Sequence, residues 1–276
     1  MPSLPSSFRP VRSVDELLSH IRAGGRAVVA LSGGVDSSLV ASLAFSALGS
    51  DAVAVTLVGP AVSHGEVDRA RRVAAAIGIE HALVPTDPLS RAEYRENGPD
   101  RCYHCRAVET SALRGYGAAR SALQYLDGVE HDDLSDDRPG LRAMDEAGFS
   151  HPLVWAGWGK SEVRTEARRR GLPNWDQPSD ACLASRVAHG DPVTAELLGR
   201  IEAAERVLLD RGFRRVRVRV RSGSARIEVD PSEVVRLLGE PLASEVTEAI
   251  ARIGFSTVSV DPRGYRGALV DLAMAP

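Results

Sequence analysis

Lysine is nearly missing from this sequence. Of its 34 basic residues, 33 are arginine and one is Lys160. Ordinary surface positions therefore use arginine, and the single ammonium stands out, because a compact point charge is preferred at some phosphate sites. Cysteine is scarce as well, at three. An odd number in a reducing compartment reads as ligands or reactive thiols rather than disulfides. No apolar run approaches membrane-spanning length, and the opening MPSLPSSFRP lacks the apolar middle of a signal peptide. These absences predict a cytoplasmic protein with no membrane partner. A strong excess of one charge is also lacking, since a formal charge of -3 gives no overall pull toward nucleic acid. What is present, 276 residues at 43% hydrophobic, supports one large core or one medium and one small one.

The apolar pattern alternates between strand and helix. Strands are expected at 27–31, 52–57, 81–84 and 122–126, with helices at 37–48, 66–77, 106–115 and 161–170. Repeated βα units argue for an α/β fold, a parallel sheet covered by helices on both faces. Residues 173–192 read as loop. Beyond them the pattern changes to a helix at 194–211, strands at 215–220 and 225–229, helices at 231–238 and 243–253, and strands near Thr257 and Leu269. A boundary close to Asp191 divides domain 1–191 from a smaller α+β domain, 192–276.

The stretch LSGGVDSS, residues 31–38, follows the first strand and opens the next helix. A glycine-rich turn there exposes backbone N–H groups at the positive end of a helix, which suits pyrophosphate. Gly33 and Gly34 make the turn bare, and the hydroxyls of Ser32, Ser37 and Ser38 add donors. No lysine of the G-x-x-x-x-G-K-[ST] type follows, so transfer of a terminal phosphate is not indicated. Asp36 would be a poor neighbour for pyrophosphate unless it met a magnesium ion. Lys160 and Arg164, four apart on one helix and hence on one face, are candidates to neutralise phosphate charge.

Cys102 and Cys105 form a C-x-x-C in PDRCYHCR, and Cys182 stands in SDACLASR. The pair alone fits zinc, redox or iron-sulfur chemistry. Structural zinc usually takes four protein ligands, whereas three thiolates leave one position open, as on a four-iron cluster with one iron free to bind something else. His104 is a weaker fourth ligand, because its place inside the C-x-x-C points it away from a shared centre. In VRVRVR, residues 216–221, strict alternation would aim three arginines at one strand face and three valines at the other. A solvent-facing arginine row and an anion grip are both consistent with that spacing.

SGGVDSS resembles the loop of the N-type ATP pyrophosphatases, the PP-loop superfamily, which adenylylate an oxygen and release pyrophosphate. From about Val28 to Val270 the chain further resembles the LarE-type ATP-dependent sulfur transferases. ALSGGVDSS, PDRCYHCR, DGVEHDDLSDDRPG, GKSEVR, GLPNWDQPSDACLASR, RVRVR and GYRGA occur in the expected order. The resemblance implies a Rossmann-like sheet of the adenine nucleotide alpha hydrolase-like type, with ATP and Mg2+ at the loop. It also implies a homo-oligomer such as a hexamer, and a place in nickel-pincer nucleotide biosynthesis. The implied substrate is pyridinium-3,5-biscarboxylic acid mononucleotide, whose carboxylates become thiocarboxylates with sulfur from a sulfide donor. In that family the Cys182 position either sacrifices its own sulfur or, beside a C-x-x-C, helps to hold a 4Fe-4S cluster carrying extra sulfide. Cys102, Cys105 and Cys182 match the cluster kind. Family position also directs Arg217, Arg219 and Arg266 toward the substrate phosphate, and the second domain toward substrate binding and oligomerisation. Three positions depart from the family pattern: DGVEHDD replaces DGTNADD, Gln177 precedes Pro178 where lysine is usual, and Asp180 stands two before Cys182 where a small neutral residue is common. Two other readings are a tRNA thiolation enzyme, which a chain at -3 without a basic surface disfavours, and a non-catalytic nucleotide sensor with a structural metal.

Overall fold

The computed structural model describes residues 11, 13–135, 139–178 and 180–266. They divide into two compact units, one running to Tyr94 and resuming over Asp100–Ser179, the other made of Arg95–Pro99 and the chain from Asp180 onward. The elements of the first stretch are, in chain order, α1 (Val14–Ala23), β1 (Ala27–Ala30), α2 (Val35–Leu48), β2 (Ala52–Val58), α3 (His64–Ile77), β3 (Glu80–Pro85), a single turn α4 (Ala92–Arg95), α5 (Arg101–Ala118), β4 (Gln124–Leu126), α6 (Pro139–Glu146), a turn α7 (Pro152–Trp155) and α8 (Lys160–Arg169).

The four strands are parallel in the order β3-β2-β1-β4, so the α/β class and the parallel sheet hold. The continuous apolar run of β1 has its cause in coverage of both sheet faces. Ala27 and Val29 join Leu39, Leu43 and Ala44 of α2 in one core. Val28, between them, joins Val53, Val55, Tyr125 and Phe149 in another. α2 is buried nearly all round, between the sheet and α1, α3 and α8. Its alanines and serines let those neighbours approach, and each fully buried leucine contributes about 1.5–3 kcal/mol. α3 begins at a reciprocal cap, Ser63 with Glu66, and ends at Gly78, whose φ of 81° closes it in the left-handed conformation.

Two differences from the sequence expectation bear on chemistry. α5 starts at Arg101 rather than Arg106, so both residues of the C-x-x-C lie on its first turns. The C-Y-H-C-R stretch carries no apolar periodicity, which hid the helix there. α1 was also missed, although Ser13 caps it and Leu17 and Ile21, four apart, are fully buried.

The second unit contains α9 (Ala195–Leu209), β5 (Val216–Arg221), β6 (Ser224–Val229), α10 (Val234–Leu238), α11 (Leu242–Ala251) and β7 (Thr257–Val260). β5 and β6 form an antiparallel hairpin, with β7 parallel to β6. Ser222 and Gly223, with φ of 48° and 80°, make the two-residue turn that matches strand twist. α9 lies against β5 and α11, and its Leu198, Ile201 and Leu208 are buried, as are Val216, Val218, Val220, Ile227, Val246 and Ile250. The strand expected near Leu269 lies outside the described residues. Among the described residues no helix is long and apolar enough to cross a membrane.

Candidate functional site

Strand order reverses at β1, which has β2 on one side and β4 on the other. In parallel sheets the crevice beyond such a reversal is where ligands bind. The loops leaving β1 and β4 meet there. A Cβ on Gly128 would stand 2.5 Å from the Ser37 amide nitrogen, so the β4 loop touches the first turn of α2 at a distance only glycine permits.

Gly33 has φ of 80°, and a Cβ added to it would meet the Ala70 backbone nitrogen of α3 at 2.9 Å. The turn is therefore bare for two reasons, conformation and packing. Gly34 caps α2 without any side chain, which leaves the start of the helix open to an anion. Ser32 Oγ accepts from the Gly34 amide at 3.3 Å and lies 3.0 Å from Ser37 Oγ. Ser38 departs from the role expected for it. Its side chain is fully buried, donates to the Gly34 carbonyl at 2.7 Å and accepts from Asn174 Nδ2 at 2.9 Å. It braces the turn from behind. Asn174 also donates to the Gly33 carbonyl at 2.9 Å; it escaped the sequence reading because the loop around it has no periodicity.

Lys160, the first residue of α8, reaches the same place. Its Nζ donates to Asp36 Oδ1 at 2.6 Å and lies 3.7 Å from Glu130 Oε1. Its own amide donates to Asp132 Oδ2 at 3.0 Å, fixing the helix start against the β4 loop. Burial pushes the Glu130 carboxyl up, opposed by the Asp132 amide and by Lys160. The ammonium expected to serve phosphate is thus held between carboxylates beside the glycine turn. Arg164 instead turns its Nη2 to the Gln177 carbonyl at 3.2 Å, and its Nε is buried with no hydrogen-bond partner among the described residues.

Behind the β4 loop, His151 bridges two carboxylates, with Nδ1 2.7 Å from Asp127 and Nε2 2.8 Å from Asp145. Burial alone would lower its pKa, but Asp127 and then Asp145 raise it to about 9. The imidazolium neutralises Asp127, the first residue of DGVEHDD, and Asp127 Oδ1 also accepts from the Val129 amide at 3.0 Å. The motif's shape therefore depends on a histidine outside it.

Cys102 and Cys105, three apart on α5, share one side of the helix. Cys102 is exposed and Cys105 half-buried, neither is in a disulfide, and Cys105 Sγ lies 3.4 Å from Glu109 Oε1. Cys182 belongs to the second unit, where it precedes a tight turn, Leu183–Arg186. Its carbonyl accepts from Arg186 Nη1 at 3.0 Å, and the Ala181 carbonyl accepts from the same nitrogen. Arg186 is itself fixed by a buried two-point pair with Glu205, at 2.9 and 3.2 Å. Glu205 also accepts the Val218 amide at 3.1 Å, so the Cys182 segment and β5 share one anchor. Within either unit, among the described residues, no three His, Cys, Asp or Glu side chains are gathered about a metal position.

Two of the three arginines of β5 are neither solvent-facing nor empty forks. Arg217 is 7% exposed, pairs with Asp180 at 2.8 Å and lies over the Tyr265 ring. Arg219 pairs with Glu228 at 3.2 Å and donates to the Ser185 carbonyl at 3.1 Å. Arg221 and Arg266 are exposed. The valines between them are core, as the alternation required.

Comparison with known proteins finds relatives over most of the chain. A family described as NAD synthase matches residues 10–121, the stretch that holds the glycine turn. An uncharacterized protein of Synechocystis is 39% identical over 87% of this chain and 90% of its own. The pyridinium-3,5-bisthiocarboxylic acid mononucleotide synthase of Lactiplantibacillus plantarum is 34% identical over 91% of this chain and 90% of its own. A tRNA-specific 2-thiouridylase of Rhodospirillum rubrum is 31% identical over 70% of this chain and 62% of its own.

Proposed function

Because the chain belongs to the LarE-type sulfur transferases of the PP-loop superfamily, we propose that it uses ATP to convert carboxylates of pyridinium-3,5-biscarboxylic acid mononucleotide into thiocarboxylates for the nickel-pincer nucleotide. The observation that carries this reading is the Lys160 ammonium set 2.6 Å from Asp36, at the open end of α2. A substrate carboxylate oxygen attacks the α-phosphorus of ATP and pyrophosphate leaves. The acyl-adenylate carbonyl then accepts a sulfide nucleophile, and AMP departs with the transferred oxygen.

Each residue of the turn has a part in the first half. The amides after Ser32, Gly33 and Gly34, with the Ser32 and Ser37 hydroxyls, would hold the departing pyrophosphate at the helix end. Asp36 would meet the magnesium of Mg-ATP, and Lys160, released from Asp36, would meet the phosphates. Arg164, whose buried Nε lacks a hydrogen-bond partner among the described residues, would support them from the same helix. Ser38 and Asn174 keep the turn in shape.

For the second half, Cys102 and Cys105 offer two thiols outside any disulfide on one helical turn, a spacing that fits two ligands of a 4Fe-4S cluster, with Cys182 as the third. Such a cluster, when bound, supplies an iron open to an extra sulfide. Arg217, Arg219 and Arg266 would receive the mononucleotide phosphate, and the second unit would also serve oligomer contacts. An assay of AMP and pyrophosphate, with and without the pyridinium substrate, tests the reading. A tRNA thiolase would require RNA in that assay, and a sensor would release no pyrophosphate.

A further inference from the structure

The guanidinium of Arg217 is already engaged by a carboxylate of its own chain. Asp180 Oδ1 lies 2.8 Å from Arg217 Nη2 and 3.4 Å from Arg186 Nη2. Arg217 is buried, its Nη1 donates to the Val216 carbonyl at 2.7 Å, and its ring partner is Tyr265. A buried arginine so fixed cannot swing out to solvent. The side chain of Asp180, in contrast, is 29% exposed, so the carboxylate is the movable and accessible member of the pair.

We propose that Asp180 is a specificity-determining residue: an internal anion that occupies Arg217 and that a substrate phosphate must displace. This rests on the reading of Arg217 as part of the phosphate grip. The displacement is inexpensive for a stated reason. Asp180 already stands within reach of a second guanidinium, Arg186, and can pass to it without being left as an uncompensated charge. A dianionic phosphate outcompetes a single carboxylate for a two-pronged guanidinium, whereas a monoanion gains little by exchange. The site therefore favours dianions. Asp180 stands two residues before Cys182, and Arg186 grips the carbonyls of Ala181 and Cys182. Moving Asp180 toward Arg186 thus draws on the same guanidinium that sets the Cys182 backbone, so arrival of the phosphate is communicated to the sulfur-bearing segment.

The test is a set of dissociation constants for the full chain, measured by calorimetry in the absence of ATP. The ligands are the pyridinium-3,5-biscarboxylic acid mononucleotide, its phosphate-free nucleoside, and ribose 5-phosphate. Asp180→Asn and Asp180→Ser should bind the mononucleotide and ribose 5-phosphate about three- to tenfold more tightly than the unaltered chain, the scale expected for removing one partly exposed ionic competitor. Nucleoside affinity should not change, and Asp180→Glu, which keeps the carboxylate, should stay near the unaltered value. Two neutral variants guard against misfolding of either one, and a preserved ATP affinity checks the rest of the chain. If both neutral variants bind the two phosphate ligands equally or more weakly than the unaltered chain, Asp180 is not a competitor and the inference fails. If ribose 5-phosphate tightens while the pyridinium mononucleotide binds to none of the proteins, the competitor stands and the proposed substrate falls.

Discussion

Lys160 Nζ and Asp36 Oδ1 are 2.6 Å apart, across 124 residues of sequence. The pair joins the start of α8 to the start of α2, and it places the chain's single ammonium beside its glycine turn. In the proposed reaction the ammonium would compensate, before ATP arrives, a carboxylate that would otherwise repel phosphate. Afterwards the two would part, the carboxylate to magnesium and the ammonium to phosphate, with little change in local charge.

Replacing Lys160 by alanine should therefore do more than remove one donor, because Asp36 is left facing the phosphates uncompensated. The rate of AMP formation should fall on the order of a hundredfold or more, the usual cost of losing one charge-stabilising group. Lys160→Arg should restore it only in part, since a planar fork does not replace a compact charge. An unchanged rate in Lys160→Ala would remove Lys160 from the site.

Asn174 predicts a different pattern. Its amide nitrogen ties the Gly33 carbonyl to the Ser38 hydroxyl from a buried position. Asn174→Ala leaves those groups without their donor and should cost about 1–3 kcal/mol of stability. Asn174→Asp, of the same shape, sets an oxygen against the Gly33 carbonyl and should be at least as harmful. ATP affinity should decline in both variants, which thermal melting with and without Mg-ATP will report.

His151 makes stability depend on alkaline pH. Its pKa stands at about 9 in the folded chain against 6.5 ordinarily. The native state therefore binds a proton that the unfolded chain has lost between those values. The stabilisation is complete below about pH 6.5 and is lost as pH rises through about 9. Urea titrations at pH 6, 8 and 10, comparing the unaltered chain with His151→Gln, should show the difference between them shrinking as pH increases. A difference that grew with pH would mean that the imidazole is neutral in the fold.

The thiols divide the sulfur mechanisms. With a cluster on Cys102, Cys105 and Cys182, protein prepared without air should contain about four irons per chain and absorb broadly toward the blue, and any single Cys→Ala change should remove iron and sulfur transfer together. AMP formation should survive. A chain lighter by one hydrogen sulfide at Cys182, with activity intact in Cys102→Ala, would establish a sacrificial cysteine instead.

Much of this was legible in the sequence because its causes are local. The run Ala27–Leu31, the two glycines after it and α3 with its glycine stop all announce themselves through periodicity and backbone preference. Lys160 was visible through composition alone. The partners were not visible. Asn174 reaches its contacts from a loop without a repeat, and Glu130 faces Lys160 only because β4 lies next to β1, a fact of strand order. The arginines of β5 illustrate the limit well. Alternation established their face and the valine core, but whether that face met solvent depended on Asp180 and Glu228, which come from elsewhere in the chain. The start of α5 was misplaced because polar residues around two cysteines carry no apolar rhythm.

The solitary amine between Asp36 and Glu130 also gives the protein a natural reporter. Apart from the α-amino group, a Schiff-base-forming reagent has only Lys160 to attack. Its labelling rate reads out one location without any engineered tag. A nucleotide lying over the ammonium should shield it, and a bulky aldehyde such as pyridoxal 5'-phosphate, which joins a phosphate to an amine-seeking carbonyl, should act as an affinity label for the glycine turn.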